Sequence, residues 1–327
     1  MNKSKLVIID AFDLLHRAYY VIPKTLTNKK GQSINAAYGF TLMLISLLDK
    51  LKPEYIVVAM EGGTPTFRVE EFKAYKATRK VDLEKDKAFA EQIPIVKEVL
   101  EAFEIPYLFF PGFEADDIIG TIAQKQLEAR SVKQELGNNL QASNFKLQTV
   151  VVTNDQDMLQ LVDEDTSVFM PAKGKDRPDA TFTPELVEKK YGFKPKQMVD
   201  FKALRGDPSD NIPGVFGIGE KKATELVRQF GSLEEIYKNI SLLDKKTAGL
   251  LAEGKEDATM SRYLATIRED APIDFSMEKC RFREVDKVHA AEKLKELGFK
   301  SLAARLVGGG VTPKKIVTDE RQIGFSI

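Results

Sequence analysis

Apolar and polar positions alternate in blocks along the first half of the chain. Short β-rich apolar runs predict strands at residues 5–9, 55–60, 106–110, 149–153 and 167–170. The intervals between these runs are long enough for crossover helices, and residues 36–51 are apolar nearly all round, as in a buried helix. The pattern therefore predicts an α/β fold with a mostly parallel central sheet flanked by helices.

The pattern changes near residue 183, where strand-like runs give way to short helical segments broken by Gly and Pro. We therefore expect an α/β domain at residues 1–182 and a helical subdomain at residues 183–306. A Gly-rich start predicts a flexible tail over residues 307–327. The polar run at residues 131–146 predicts a surface loop inside the first domain.

Composition limits the classes of function. The 49 Lys and Arg residues balance 49 Asp and Glu residues, and this balance taken alone argues mildly against nucleic-acid binding. Cys280 is the single cysteine, which excludes a disulfide framework, and the two histidines, His16 and His289, are too few for a zinc site. The sequence has neither a signal peptide nor an apolar run near the roughly 20 residues of a membrane span. We expect a cytoplasmic protein.

Acidic residues follow the predicted strands, at the ends where ligands gather in open α/β sheets. They are Asp10, Glu61, Glu114, Asp116, Asp117, Asp155 and Asp157. Any one of them could be an ordinary helix N-cap, since Asp is common in βα turns. Seven acids at four strand ends are harder to explain in that way, because like charges on one rim repel each other. The carboxylate set favours a site for two hard divalent cations, Mg²⁺ or Mn²⁺ as its substitute.

A Gly-rich element follows at residues 203–226. It contains two further acids, a glycine turn and a lysine pair: Asp207, Asp210, Gly217, Gly219, Lys221 and Lys222. No apolar strand precedes the glycines, so a dinucleotide-binding turn is not predicted. A hairpin between two short helices is favoured, with backbone amides that face a phosphate. The alternative is a plain helical turn with solvated lysines.

Basic residues cluster at residues 68–80, directly after a predicted strand end. They are Lys73, Lys76, Arg79 and Lys80, with Tyr75 among them. The spacing of the lysines predicts one helical face, and an aromatic residue among bases is typical of single-stranded nucleic-acid binding. An ordinary solvated helix face is the alternative. Arg17, with Tyr19 or Tyr20, could extend the same surface, whereas His16 is expected to be a packing residue.

These motifs resemble the 5′→3′ exonuclease domain of bacterial DNA polymerase I and its bacteriophage and eukaryotic flap endonuclease relatives. The most specific are GFEADD at 112–117, TNDQDMLQL at 153–161 and GDPSDNIPGVFGIGEKKA at 206–223. NAAYGF, PTFR and YKATR support them. The resemblance covers roughly residues 4–305 and implies a PIN/flap-endonuclease-like fold. It also implies a helical arch at about residues 68–95 and a helix-hairpin-helix in the helical subdomain.

The resemblance implies a two-Mg²⁺ hydrolase that releases 5′-phosphorylated products from 5′ flaps, nicks and RNA-primed ends of DNA, in replication and repair. The acids that match its metal site are Asp10, Glu114, Asp116, Asp117, Asp155, Asp157, Asp207 and Asp210. Lys76 and Arg79 match its catalytic bases, which stabilise the scissile phosphate, with Tyr75 nearby. The Gly217 turn matches the hairpin that grips duplex DNA, in the family often with K⁺.

Some positions depart from the family pattern. Glu61 replaces an Asp, Val69 a His, Asn154 a Gly and Phe216 a Pro. The longer Glu61 side chain moves a ligand oxygen, which matters for near-octahedral Mg²⁺. It therefore favours one rival function, a branched-DNA-binding relative with reduced turnover. The other rival is a small-molecule phosphohydrolase, which would not need the hairpin or the basic segment.

We expect a monomer that binds DNA rather than membranes and is associated with the nucleoid. No polymerase segment follows the resembling region. The sequence therefore predicts either a free-standing nuclease or a fragment of a longer protein.

Overall fold

The computed structural model describes residues 4–63, 65–78, 82–136, 147–173 and 177–308, with residues 130–136 as backbone only. The strands in these ranges are β1 (Lys5–Asp10), β2 (Tyr55–Ala59), β3 (Tyr107–Leu108), β4 (Gln148–Val152), β5 (Thr166–Met170) and β6 (Ala180–Phe182). They form one sheet in the order β3-β2-β1-β4-β5-β6. Neighbours among β1 to β5 pair in parallel, and β6 pairs antiparallel with β5. The predicted mostly parallel sheet is confirmed.

The apolar runs form strands because the sheet buries them on both faces, as parallel sheets do. β1 is buried from Leu6 to Asp10, and β4 is buried from Thr149 to Val152. The strand β6 was not predicted. It has three residues and pairs only with β5, so its side-chain periodicity is too short to recognise in the sequence.

The helices of the described residues lie between these strands along the chain or follow them. They are α1 (Ala11–Val21), α2 (Asn35–Leu51), α3 (Phe67–Glu71), α4 (Leu83–Ala102), α5 (Ala115–Leu136), α6 (Pro184–Tyr191), α7 (Met198–Arg205), α8 (Glu220–Phe230), α9 (Leu233–Lys238), α10 (Lys245–Glu253), α11 (Lys255–Ala265), α12 (Lys287–Glu296) and α13 (Lys300–Gly308). A 3₁₀ helix covers Asp157–Leu161. None of the described helices is both long enough and apolar enough to cross a lipid bilayer.

Two helices bear on the predicted segments. The helix α2 is the predicted buried helix, and it begins one residue earlier than expected. The surface loop predicted from residue 131 is wrong in its first part, because α5 continues to Leu136. Residues 137–146 lie outside the described residues. The predicted tail is helical at its first two positions, because α13 ends at Gly308, and its remainder also lies outside the described residues.

The chain divides into two compact units. The first unit comprises Met1–Asp13, Pro53–Asp82 and Pro106–Phe282, and the second comprises Leu14–Lys52, Leu83–Ile105 and Arg283–Ile327. The first unit contains the sheet, α3 and α5 to α11. In the second unit α2 packs on α4, and α12 packs on α13. The sheet and most helices after residue 183 thus share one unit, and the division predicted at residue 182 remains a prediction.

Candidate active site

Asp10 ends β1 at the carboxyl edge of the sheet. Its side chain is 5% exposed. One carboxylate oxygen, Oδ1, accepts the backbone N–H groups of Phe12 and Asp13 at 3.0 and 3.1 Å, so Asp10 caps the start of α1. The other, Oδ2, accepts the Thr153 hydroxyl at 3.0 Å, at the end of β4. Burial, with the negative charges of Asp13 and Asp155, raises the pKa of Asp10 to about 7.

Glu114 lies just before α5 and is also buried. Its Oε2 accepts hydrogen bonds from Lys76 Nζ at 2.8 Å and from the Tyr75 hydroxyl at 3.2 Å. Its Oε1 accepts the Thr66 hydroxyl at 3.3 Å. A lysine and two hydroxyl groups thus hold this carboxylate in one orientation.

Asp116, in the first turn of α5, lies among the other acids. Burial raises the pKa of Asp116 well above its ordinary value, and the charges of Asp155, Asp10 and Glu114 raise it further. Asp155, after β4, is exposed, and its Oδ1 accepts the backbone N–H of Asp157 at 2.8 Å. The ends of β1 and β4 and the start of α5 therefore bring four predicted metal ligands together.

Lys202, on α7, joins two further acids. Its Nζ donates to Asp157 Oδ1 and, at 2.7 Å, to Asp207 Oδ2. Burial, with the charge of Asp155, raises the pKa of Asp157 to about 7 although Lys202 opposes the shift. Burial also acts to raise the pKa of Asp207, but Lys202 and two hydrogen bonds from Ser209 outweigh it and lower that pKa to about 2. Lys202 therefore acts to lower the pKa of both acids, but the net shift is downward only for Asp207.

Asp117 has a different environment from the other acids. Arg68 donates to both of its oxygens at 2.8 Å, and the backbone N–H groups of Glu114 and Arg268 donate at 3.1 and 2.9 Å. Arg68 also donates to two backbone carbonyls at the C-terminal end of α11. A carboxylate has about four acceptor positions, and all of them are used here. Asp117 is thus held by an arginine and two backbone N–H groups, and its role as a metal ligand remains a prediction.

The basic segment after α3 is a turn, and the predicted single helical face is therefore wrong. Lys76 has a φ of +56°, and its backbone N–H donates to the carbonyl oxygen of Asp210 at 2.8 Å. Tyr75 is 5% exposed, and its hydroxyl lies 3.2 Å from carboxylate oxygens of Glu114 and Asp210. Burial and these two acids raise the pKa of Tyr75. A buried ring cannot offer the stacking surface predicted for it, whereas Lys73 is exposed as expected.

The other predicted residues lie around this cluster or apart from it. Arg79 and Lys80 lie outside the described residues. Glu61 is exposed just after β2. Arg17 is partly buried on α1 and belongs to the second unit. In that unit the His16 ring packs edge-on against a phenylalanine ring, with centroids 4.9 Å apart, as expected of a packing residue.

The predicted hairpin lies between α7 and α8. Gly217 has a φ of +83°, a left-handed conformation that favours glycine. Gly219 directly precedes α8, and a Cβ atom there would meet nothing within 4 Å. Lys221 is exposed, and Lys222 pairs with Glu225 at 2.9 Å. The turn is thus an exposed surface that ends at the N-terminus of a helix.

Three side chains of the site were not singled out in the sequence. Lys202 bonds two acids, Arg68 bonds Asp117, and Asp13 accepts two N–H groups of Asn154 at 2.9 and 3.0 Å. Arg68 belongs to the PTFR motif, and Lys202 lies five residues before Asp207. The motif and this short spacing are the sequence features from which Arg68 and Lys202 could have been predicted as site residues.

The acids fit hard divalent cations in their chemistry, because every donor is a carboxylate oxygen. As the side chains are placed, no three or more of the described His, Cys, Asp and Glu residues form a ready-made metal site. Lys76 and Lys202 donate to the acids instead. Burial, together with the charges of neighbouring acids, raises the pKa values of Asp10, Asp116 and Asp157.

Comparisons with known proteins agree with this arrangement. Residues 5–192 match the family model of the 5′-3′ exonuclease, N-terminal resolvase-like domain, and residues 193–288 match that of the 5′-3′ exonuclease, C-terminal SAM fold. The chain is 38% identical over 305 residues to DNA polymerase I of Bacillus caldotenax, which covers 93% of this chain and 32% of that protein. The chain thus spans about a third of the length of the curated relatives it matches.

Solved structures show the same fold. The bacteriophage T5 D15 protein, co-crystallised with metal ions, matches with a TM-score of 0.62 at 20% identity, over 92% of this chain and 99% of that one. The catalytic core of Rad2 in complex with DNA substrate matches with a TM-score of 0.58 at 17% identity, over 93% and 91%. The predicted PIN-like α/β fold with a C-terminal helical part is confirmed. Because the family models cover residues 5–288 between them, the chain belongs to the 5′-3′ exonuclease family.

Proposed function

We propose that the protein is a divalent-metal-dependent 5′-nuclease that hydrolyses DNA phosphodiester bonds at 5′ flaps, nicks and RNA-primed ends. The observation that carries this proposal is the convergence of Asp10, Glu114, Asp116 and Asp155 at the carboxyl edge of the sheet, where burial and mutual repulsion raise the pKa of Asp10 and Asp116. Membership of the exonuclease family supports the same chemistry. The proposed metals are two Mg²⁺ ions, with Mn²⁺ as substitute.

The charges around the cluster support two divalent ions. The proposed ligand set that shares direct bonds or electrostatic interactions comprises Asp10, Glu114, Asp116, Asp155, Asp157 and Asp207. Two lysines bond to three of these six carboxylates, Lys76 to Glu114 and Lys202 to Asp157 and Asp207, and the excess of carboxylates over lysines favours divalent cations. Such ions activate water and offset charge on a phosphodiester. Glu61 and Asp210 are proposed as outer ligands of the same site.

Lys76 is the proposed phosphate-binding base. Its ammonium group is bonded to Glu114 at 2.8 Å, and its side chain remains 24% exposed. A base that is held at the edge of the acids and still meets solvent can pair with a scissile phosphate, and Arg79 is proposed to act beside it. Lys202 is more deeply buried, at 6% exposed, and it orients Asp157 and Asp207.

The exposed hairpin is the proposed grip on duplex DNA. Its proposed contacts are Gly217, Gly219, Lys221 and Lys222, with K⁺ as a bound ion, and the proposed contacts of the 5′ strand are Arg17, Lys73 and Lys80. We propose that the protein works as a monomer in the cytoplasm, at the nucleoid. Substitution of an acid should abolish cleavage while DNA binding is retained, and this result distinguishes the acids from the proposed DNA contacts.

A labelled 5′-flap duplex tests the function. Wild-type protein titrated with Mg²⁺ is expected to release products whose length reports the cleavage position at nucleotide resolution. Asp155→Ala is expected to abolish release while binding persists, because Asp155 faces the other acids. Asp274→Ala is the matched control, since Asp274 is exposed and forms a surface ion pair with Lys279 at 2.5 Å. Wild-type cleavage by Asp155→Ala, or preferential hydrolysis of nitrophenyl phosphate, contradicts the proposal.

A second candidate function is branched-DNA binding with reduced turnover. Glu61 favours it, because this longer acid, which lies just after β2, stands where the family has Asp. Glu61→Asp distinguishes the two functions. A large gain in cleavage rate with unchanged flap affinity indicates a compromised nuclease, whereas an unchanged high rate rejects this candidate.

A further inference from the structure

The hairpin before α8 carries a large apolar side chain that is exposed and does not pack in the protein core. Phe216 is 89% exposed, which makes it the most exposed large hydrophobic residue among those the structure describes. Its neighbours Val215 and Ile218 are 2% and 3% exposed, and the Ile218 N–H donates to the Val215 carbonyl at 3.0 Å. The two buried neighbours anchor the turn, and they hold Phe216 on its outer side.

The surroundings of Phe216 restrict what can cover it. Gly217 and Gly219 add no side chains beside the ring, and Lys221 is exposed on the first turn of α8. The surface therefore combines one apolar ring with open backbone, the positive charge of Lys221 and the exposed carboxylate of Glu220, which pairs with Arg205 at 3.9 Å. The backbone of duplex DNA has the matching chemistry, because its deoxyribose edges are apolar and lie between phosphates.

We infer that Phe216 packs against deoxyribose at the edge of the groove in the duplex that the hairpin holds, as a sequence-independent apolar contact. This inference rests on the proposed function, since it requires that the hairpin binds duplex DNA. It adds a contact that does not depend on charge to the proposed contacts of the lysines and backbone amides of the hairpin. Sugar contacts do not read bases, so the contribution should be the same on every sequence.

The salt dependence of duplex binding distinguishes an apolar contact from an ionic one. Burial of part of a phenylalanine side chain predicts that Phe216→Ala weakens duplex binding roughly five- to tenfold. The loss should be constant between roughly 50 and 200 mM salt, because no counterion is released by an apolar contact. Lys221→Ala should instead reduce the slope of log K against log salt by about one. Leu242→Ala is the control for exposed apolar surface, since Leu242 is 71% exposed elsewhere in the same unit.

A tryptophan reporter tests the contact directly. The chain contains no tryptophan, so Phe216→Trp and Leu242→Trp each carry a single fluorophore. In free protein both should be quenched readily by acrylamide. Saturating duplex DNA should protect the tryptophan at position 216 and leave the one at position 242 accessible.

The outcomes are distinguishable. Constant weakening by Phe216→Ala together with protection at position 216 supports the inference. Wild-type affinity of Phe216→Ala, a changed salt slope, or equal quenching with and without DNA overturns it, and protection only by a second protein molecule assigns the ring to a protein interface instead. If wild-type protein neither binds nor cleaves flap duplexes, the proposed function itself fails. Thermal melting of Phe216→Ala should match wild type, because the ring has few contacts to lose.

Discussion

Asp117→Ala and Asp155→Ala should have different effects on stability, although each removes an acid from one of the family's motifs. Asp117 accepts four N–H groups, two of them from Arg68, and is fully buried. Asp155 is exposed and raises the pKa of its acidic neighbours. We expect Asp117→Ala to destabilise the fold, and Asp155→Ala to leave it unchanged or slightly more stable.

The magnitude follows from the burial of the pair. The side chains of Arg68 and Asp117 are 3% and 0% exposed, and removal of one partner from such a pair typically costs about 3–5 kcal/mol. The arginine then remains buried without its carboxylate, and two backbone N–H groups lose their acceptor. At roughly 2–4 °C per kcal/mol for a protein of this size class, the melting temperature should fall by roughly 10 °C.

Melting followed by far-ultraviolet circular dichroism measures the effect, with Asp155→Ala as the matched control. A double-mutant cycle with Arg68→Met and Asp117→Leu identifies its cause, because replacement of both charges should restore part of the stability lost in each single variant. The reasoning is refuted if the free energy of unfolding of Asp117→Ala lies within about 1 kcal/mol of the wild-type value. It is also refuted if the double variant shows no coupling.

Three further predictions concern charge and backbone. The pKa of Asp10 is about 7 in the folded protein, against an ordinary value of 3.8. The contribution of Asp10 to the free energy of unfolding is therefore fully present below about pH 4, and up to about 4 kcal/mol of it is lost as the pH rises through 7. Metal-free protein should melt at a lower temperature at pH 8 than at pH 5, and Mg²⁺ should raise the melting temperature mainly at pH 8. Lys202→Met should destabilise the protein by roughly 3 kcal/mol at pH 8 and by less at pH 5, where Asp157 can take up a proton, as pH-dependent melting would reveal. Gly214→Ala should destabilise strongly in urea titration, because φ is +64° and a Cβ would lie 2.2 Å from a backbone nitrogen, whereas Gly219→Ala has open space and should match wild type in stability.

The edge where the acids meet was predictable because it follows from topology. Recognition of five buried strands implies a parallel sheet, and the carboxyl ends of parallel strands lie along one edge. Asp10 ends β1, and Asp155 comes shortly after the neighbouring strand β4. Glu114 directly precedes α5, and Asp116 lies in its first turn. No knowledge of side-chain contacts was needed for this part of the site.

The partners of the acids were not predictable in the same way. Arg68 and Asp117 are 49 positions apart, and Lys202 and Asp157 are 45 apart, so nothing local in the sequence joins them. Lys76 was misplaced because lysines at spacings of three and four are typical of a helix face. Here the backbone bond from Lys76 to Asp210 and a positive φ end the helical path, and long-range contacts determine which side chains turn inward.

The choice between helix cap and metal ligand is decided by how many acceptor positions a cap uses. Asp117 is the third residue of α5, and it bonds back to the N–H of Glu114, as the side chain at that position does in a capping box. Its remaining acceptor positions are used by Arg68 and Arg268, so capping and ion pairing engage both of its oxygens. Asp10 also caps a helix, but with Oδ1 alone, while its Oδ2 accepts a single hydroxyl bond and retains a lone pair. Capping by itself therefore does not exclude an acid from a metal site, and the role of Asp117 as a metal ligand remains a prediction.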